Sequence, residues 1–193
     1  AQLPIMLDAD STEYDGKNSM LMFSGLRLNQ GSLSIQADRG RATQPDFEDS
    51  VWQFAGGVVI DVENGHMEAE SADLKFSGHQ LELATITGSP AIFEMRRPDS
   101  DITTYAEAGK VRYDFDAGIV EFSENAVIIE GCNQISSSYL VYNIREQRIN
   151  AQSTADSDEK VKITYTPRDS VSAEACERRE SDEKPDEQDN ERP

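Results

Sequence analysis

Histidine, cysteine and tryptophan are scarce in this 193-residue chain, at two, two and one copies. His66 and His79 have no metal-ligand neighbour at useful spacing, so a centre in which several histidines and a carboxylate converge on one metal lacks its ligands. Both read as polar residues beside β-turns, and no metal site is expected. Cys132 and Cys176 form no zinc spacing. The first falls in an expected turn and the second in a charged tail, so a disulfide between them is not expected. Basic residues are also few, 18 against 37 acids, for a net charge of −19. Nucleic acid binding is driven by Lys and Arg neutralising phosphates, so such a surface repels it. No polybasic stretch would hold the chain on an anionic membrane. No run approaches the roughly 18 apolar residues that span a bilayer. Gly-x-Ser-x-Gly, P-loop and dinucleotide motifs are missing too, and no cofactor is expected. Acidic pairs such as Glu68/Glu70 and Asp114/Asp116 fit the roughly 5–9.5 Å of a glycosidase pair. The chain is rich in such pairs, and they read as solvated outer faces.

What remains is alternation. Leu33, Ile35 and Ala37 alternate with Ser34 and Gln36, and Val58, Ile60 and Val62 with Val59, Asp61 and Glu63. A period of two marks half-buried strands, and turn residues every eight to twelve positions indicate an all-β sandwich or barrel. The strands also repeat. Phe23-Ser24-Gly25, Phe54-Ala55-Gly56, Ile86-Thr87-Gly88 and Phe122-Ser123-Glu124 stand 31, 32 and 36 residues apart. Each is followed by an apolar pair: Leu26 and Leu28, Ile60 and Val62, Ala91 and Phe93, Val127 and Ile129. Three units then turn near a glycine, at Gly31, Gly65 and Gly131. A period of 30-odd residues means stacked units, each completing its neighbour's apolar face. With roughly four short strands per unit, an elongated open β-stack or jelly roll is expected, its terminal edges unpaired.

The pattern covers residues 1–152. Residues 153–167 hold one possible last strand (Val161 to Tyr165) and a linker. From Arg168 to Pro193 ten acids and five bases stand with almost no large apolar side chain, a composition that predicts disorder. The aromatics, Trp52 and the tyrosines at 14, 105, 113, 139, 142 and 165, could stack on sugar rings or could fill strands; the second reading is the simpler.

Several segments together resemble one family. ADSTEYD at 9–15, MFSGLRLNQGSLSIQADRGRA at 22–42, TGSPAIFEM at 87–95, YDFDAGIVEFSENAVI at 113–128 and YLVYNIREQRINA at 139–151 look like the LptA (OstA-like) pattern. That pattern runs from Phe-x-Gly through two alternating strands and an Ala-Asp pair. It continues with Gly-x-Pro-Ala-x-Phe (Gly88 to Phe93) and closes with Tyr-x-x-x-Glu-Gln (Tyr142 to Gln147). The resemblance spans about residues 5–152. It implies a partly open antiparallel β-jelly roll in the periplasm, with a removed signal explaining a start at Ala1. It further implies a carrier that is not an enzyme. The implied cargo is lipopolysaccharide, held by its lipid A acyl chains. The implied neighbours are an inner-membrane LptC-like partner, an outer-membrane translocon jelly-roll domain, and further copies joined edge to edge. Edge contacts would then fall at Ile5 and Leu7 on one side and at Tyr139, Val141 and Asn143 on the other.

A lipid with several acyl chains needs an apolar trough, which alternating strands supply on one face. The inward series is expected to be Leu26, Leu28, Leu33, Ile35, Ile60, Val62, Met67, Phe93, Val127, Ile129 and Ile135. The same residues could equally form a closed core without a ligand. A sibling component of the same bridge (LptC-like, or a translocon N-terminal domain) and a polysaccharide-binding β module are the alternatives.

Overall fold

The computed structural model describes residues 3–44, 46–97, 102–153 and 160–165. Eleven antiparallel strands form one sheet: β1 Met6–Asp15, β2 Met20–Gln30, β3 Leu33–Ala42, β4 Asp49–Val62, β5 Gly65–Ser77, β6 Gln80–Arg96, β7 Thr103–Asp114, β8 Ile119–Glu130, β9 Asn133–Asn143, β10 Arg148–Gln152 and β11 Lys162–Tyr165. The first ten follow one another as a meander. No helix forms among the described residues. Each repeat is one hairpin of two long strands rather than four short ones.

Those long strands do not run straight. Between β3 and β4 the register shifts at Gln36/Arg39, between β4 and β5 at Ala55/Val58, and between β6 and β7 at Thr87/Ala91. The shifts continue at Glu107/Lys110 and at Ser123/Ala126. They line up across the sheet as a crease of bulges, the device that bends strands. Gly25, Gly56, Gly57, Glu124 and Asn125 on this line have φ between 52° and 81°. The repeated Phe-x-Gly and its variants at 86–88 and 122–124 therefore mark where β2, β4, β6 and β8 turn a corner.

The crease folds the sheet into two leaves. Phe93 lies on one side of it and Phe122 on the other. In the ladders linking β6, β7 and β8, Phe93 is opposite Ala106 and Phe122 is opposite Val111, five residues further along β7. A flat sheet would set those rows about 16 Å apart at ~3.3 Å per residue, yet the two rings are centred 5.4 Å apart. The strand ends meet as well: Gln30 Nε2, at one end of β2, donates to the His79 carbonyl at 2.7 Å. We call the leaf beside the turns at 16–19, 78–79, 115–118 and 144–147 the first leaf, and the leaf beside those at 31–32, 63–64 and 131–132 the second.

Between the leaves lies a single apolar core. In the first leaf Trp52 stacks on Phe23, Phe47 and Phe54, and its indole N–H reaches the Asp46 carbonyl and Ser50 Oγ. Of the aromatics that might have stacked on sugars, Trp52, Tyr113 and Tyr142 are buried in the core, whereas Tyr14 and Tyr165 are exposed at the two edges.

Two expectations are corrected. Tyr139, Val141 and Asn143 do not form a free edge, because β9 carries β10 along 139–143 and β11 along 133–136. The tight turn at 144–147, where Gln147 adopts φ 54°, lets the chain double back instead of ending there. Cys132 is disulfide-bonded, its partner lying outside the described residues. β11 places Tyr165 opposite Asn133, the residue that follows that cysteine.

The crease glycines can be tested. Gly56 and Gly78 both have positive φ, but only at Gly56 would a Cβ meet a neighbour, Asp38 Oδ2, at 2.6 Å. Both alanine variants should lose the roughly 1 kcal/mol of a left-handed residue. Gly56→Ala should lose a further ~1–3 kcal/mol to the clash. Denaturant unfolding measures both, and adding Asp38→Ala should recover part of the excess.

Candidate functional site

The ladder pairings of the second leaf trace one unbroken inward row. Leu7 lies opposite Leu28, Leu28 opposite Ile35, Ile35 opposite Ile60, and Ile60 opposite Met67. The row goes on through Phe93, Ala106, Ile128 and Ile135 to Ile163 on β11, which is 70% exposed at the sheet edge. It crosses ten strands, about 43 Å at ~4.8 Å per strand, and reaches both edges of the sheet. Within it, Leu28, Ile35, Ile60, Met67, Phe93, Ala106 and Ile128 are shut off from solvent by the protein itself. Leu26 is buried one row nearer the crease, and Leu33 nearer the lip; Val62 and Ile135 are half-buried.

Val127 and Ile129 face the other way. The inward residues of β8 are Val120, Phe122, Ala126 and Ile128, while Val127 pairs with Glu107 and Ile129 with Tyr105 on the outer face. The run Val127-Ile128-Ile129 offers apolar groups to both faces, so alternation alone could not choose. The crease in β8 takes up two left-handed residues, Glu124 and Asn125, which keeps the inward parity of Phe122. Ala106 and Ile128 were thus missed; the six-residue step from Phe54 to Ile60, repeated from Phe122 to Ile128, was the available signal.

The outer faces are polar. Glu68 accompanies His66 there, and Asp116 sits in the β7–β8 turn, so neither acid pair enclosed a cleft. His66 lies between Asp61, 2.5 Å from Nδ1, and Glu68, 3.2 Å from Nε2. Burial works against its charge, but the hydrogen bonds to the two carboxylates and their charges outweigh it and hold the imidazole above its ordinary value. Among the described residues no group of three or more His, Cys, Asp or Glu could hold a metal ion.

The two edges differ in charge. β1, the N-terminal edge strand, pairs only with β2 and carries Asp8, Asp10, Glu13 and Asp15. At the opposite edge β10 contributes Arg148 and β11 Lys162, with Lys160 just before it. Ile5 precedes β1, and with Leu7 it packs half-buried against the core.

A creased, open β-meander with an apolar interior that runs out to both edges has the build of a carrier for elongated apolar cargo. The chain belongs to the family described as LptA/(LptD N-terminal domain) LPS transport protein, whose model matches residues 6–148. Its fold is similar to that of LptH from Pseudomonas aeruginosa, the LptA-homologous periplasmic component of a conserved lipopolysaccharide transport device. That match has a TM-score of 0.58 at 20% identity and covers 86% of this chain and 96% of the other. No curated protein matches the chain in sequence.

The His66 cluster generates a pH prediction. A folded-state value above the unfolded one contributes stability that is complete below about pH 6.5 and lost as pH rises through the folded value. His66→Gln should therefore be less stable than the parent at pH 5.5 and nearly equal to it at pH 8.5. The gap at low pH should stay below about 1 kcal/mol for so exposed a cluster. Thermal melts across that range measure it.

Proposed function

We propose that this chain is a periplasmic bridge component that holds the acyl chains of lipopolysaccharide between its two leaves and passes them from copy to copy. It acts as a carrier and not as an enzyme. The observation that carries this reading is the inward row from Leu7 to Ile163, which reaches both edges and would continue into a neighbour joined there. The acidic β1 and the basic β10–β11 edge suit a head-to-tail junction with a second copy. The same junction would serve β-jelly-roll partners at the inner membrane and at the outer-membrane translocon. With one acidic end and one basic end, a middle link is favoured over a terminal one.

Energetics support partial, reversible holding. Burying about ten CH₂ groups of one acyl chain is worth roughly 8 kcal/mol, and several chains held fully would approach the ceiling of non-covalent affinity, near 20 kcal/mol. Here the interior rows are already filled by side chains. An entering chain must part the leaves, and that cost offsets part of its burial, which keeps release possible.

Photocrosslinking to lipopolysaccharide tests the trough. Photoreactive residues at Ile35, Ile60 and Ile128 should crosslink, and those at Val59 and Val127 should not. If folded protein gave no adduct from the inward set, the interior would be a core only. Sedimentation at rising concentration tests the junction. Asp8→Lys with Glu13→Lys leaves every core contact in place but sets like charges against Arg148 and Lys162. It should weaken self-association by roughly tenfold or more at low salt.

A further inference from the structure

The second leaf changes character at its lip. One row outward from Phe93, Ala106 and Ile128, the ladder pairs Met95 with Thr104 and Thr104 with Glu130. These share the inward parity of the apolar row, so a hydroxyl and a carboxylate stand at its rim. Arg97, two residues beyond Met95 on the same strand end, forms an ion pair with Glu130. The two side chains are only 21% and 22% exposed, and Thr104 is 1% exposed. Arg97 and Thr104 are diagonal neighbours, a spacing of about 7–8 Å between Cα atoms that a guanidinium arm reduces.

Among the described residues, two buried polar atoms here have no hydrogen-bond partner: Nε of Arg97 and Oγ1 of Thr104. Leaving each unsatisfied costs about 1–3 kcal/mol, and a valine at 104 would fill the same space without that cost. A buried polar atom without a partner calls for a group that the described residues do not supply.

The chemistry of that group follows from the charges. Glu130 already balances Arg97, so the collar is neutral and a second anion would crowd the carboxylate. What the site lacks is an uncharged acceptor for the Arg97 Nε–H and for the Thr104 hydroxyl. A carbonyl oxygen has two lone pairs and can accept from both. Directly inside stand Phe93, Ala106 and Ile128, which offer only hydrocarbon. We propose that Arg97 and Thr104, with Glu130 fixing the guanidinium, bind the ester or amide carbonyl at the root of an acyl chain whose tail lies on Phe93, Ala106 and Ile128. This rests on the carrier reading and deepens it. It sets the direction of the cargo, tail toward the crease and head at the lip between β6 and β8, and it makes the trough select acyl over alkyl chains.

The test compares two lipids on the full chain: a diacyl phosphatidylglycerol and its dialkyl ether analogue of equal chain length, each displacing an apolar fluorescent probe. The parent should bind the ester lipid roughly tenfold more tightly than the ether lipid. Thr104→Val should shrink that ratio to about threefold or less and Thr104→Ser should keep most of it. Without lipid, Thr104→Val should also raise the unfolding temperature, because it removes the unpaired hydroxyl. Equal binding of both lipids by the parent would overturn the carbonyl site, assigning the collar to trapped water, while leaving the carrier intact. Displacement by neither lipid would overturn both readings.

Discussion

Everything in this molecule depends on its strands bending at the same place. A single β-meander has two faces and nothing to bury either against, and a flat one would leave its apolar side in water. The crease solves this within one sheet. Bulges aligned from β3 to β9 turn one half of each strand over the other, so that the sheet supplies both layers of its own core. One arrangement recurs at three points of the line: a glycine on one strand with a carboxylate from its neighbour laid over it. Asp10 sits over Gly25, Asp38 over Gly56 and Glu124 over Gly109, at distances that leave no room for a Cβ.

The acids thus have two separate roles. Those on the crease occupy space that glycine leaves open, and those on the outer faces keep a long, mostly strand-built surface soluble. At a net charge of −19 the surface also discourages sideways association of sheet faces, leaving the edges as the places where copies can meet. Only the β10–β11 edge departs from that acidic average, with Arg148 on one strand and Lys162 on the other.

Much of this was legible in the sequence. The period of two, the repeated Phe-x-Gly and the inward series Leu26 to Phe93 all find their places, because alternation survives within each half-strand. The register across the crease did not. Five residues separate Phe23 from Leu28, six separate Phe54 from Ile60, seven separate Ile86 from Phe93, and six separate Phe122 from Ile128. Against a step of five in the strands between them, β2 takes up no extra residue at the corner, β4 and β8 one each, and β6 two. A seven-residue step carried from β6 to β8 lands on Ile129 and turns the strand inside out. In the odd-numbered strands the step is constant at five, as from Ile35 to Gly40 and from Ala106 to Val111. The second failure, a β9 thought to be an edge, came from a turn that lacks glycine and rests on Gln147. The polar collar at the lip escaped notice for a third reason. Nothing in the residues Arg97, Thr104 and Glu130 sets them apart until the ladder brings them together.

The order of the strands has a consequence for how such a molecule changes size. Because each of the first ten strands pairs only with its chain neighbours, apart from β11 laid against β9, a hairpin is a module whose ladders run only to the hairpins before and after it. Inserting or deleting one would rethread nothing and would leave every other turn where it was. Trough length is therefore quantised, in steps of about 10 Å for two strands. Evolution or design can extend this scaffold by copying one creased unit of some thirty residues.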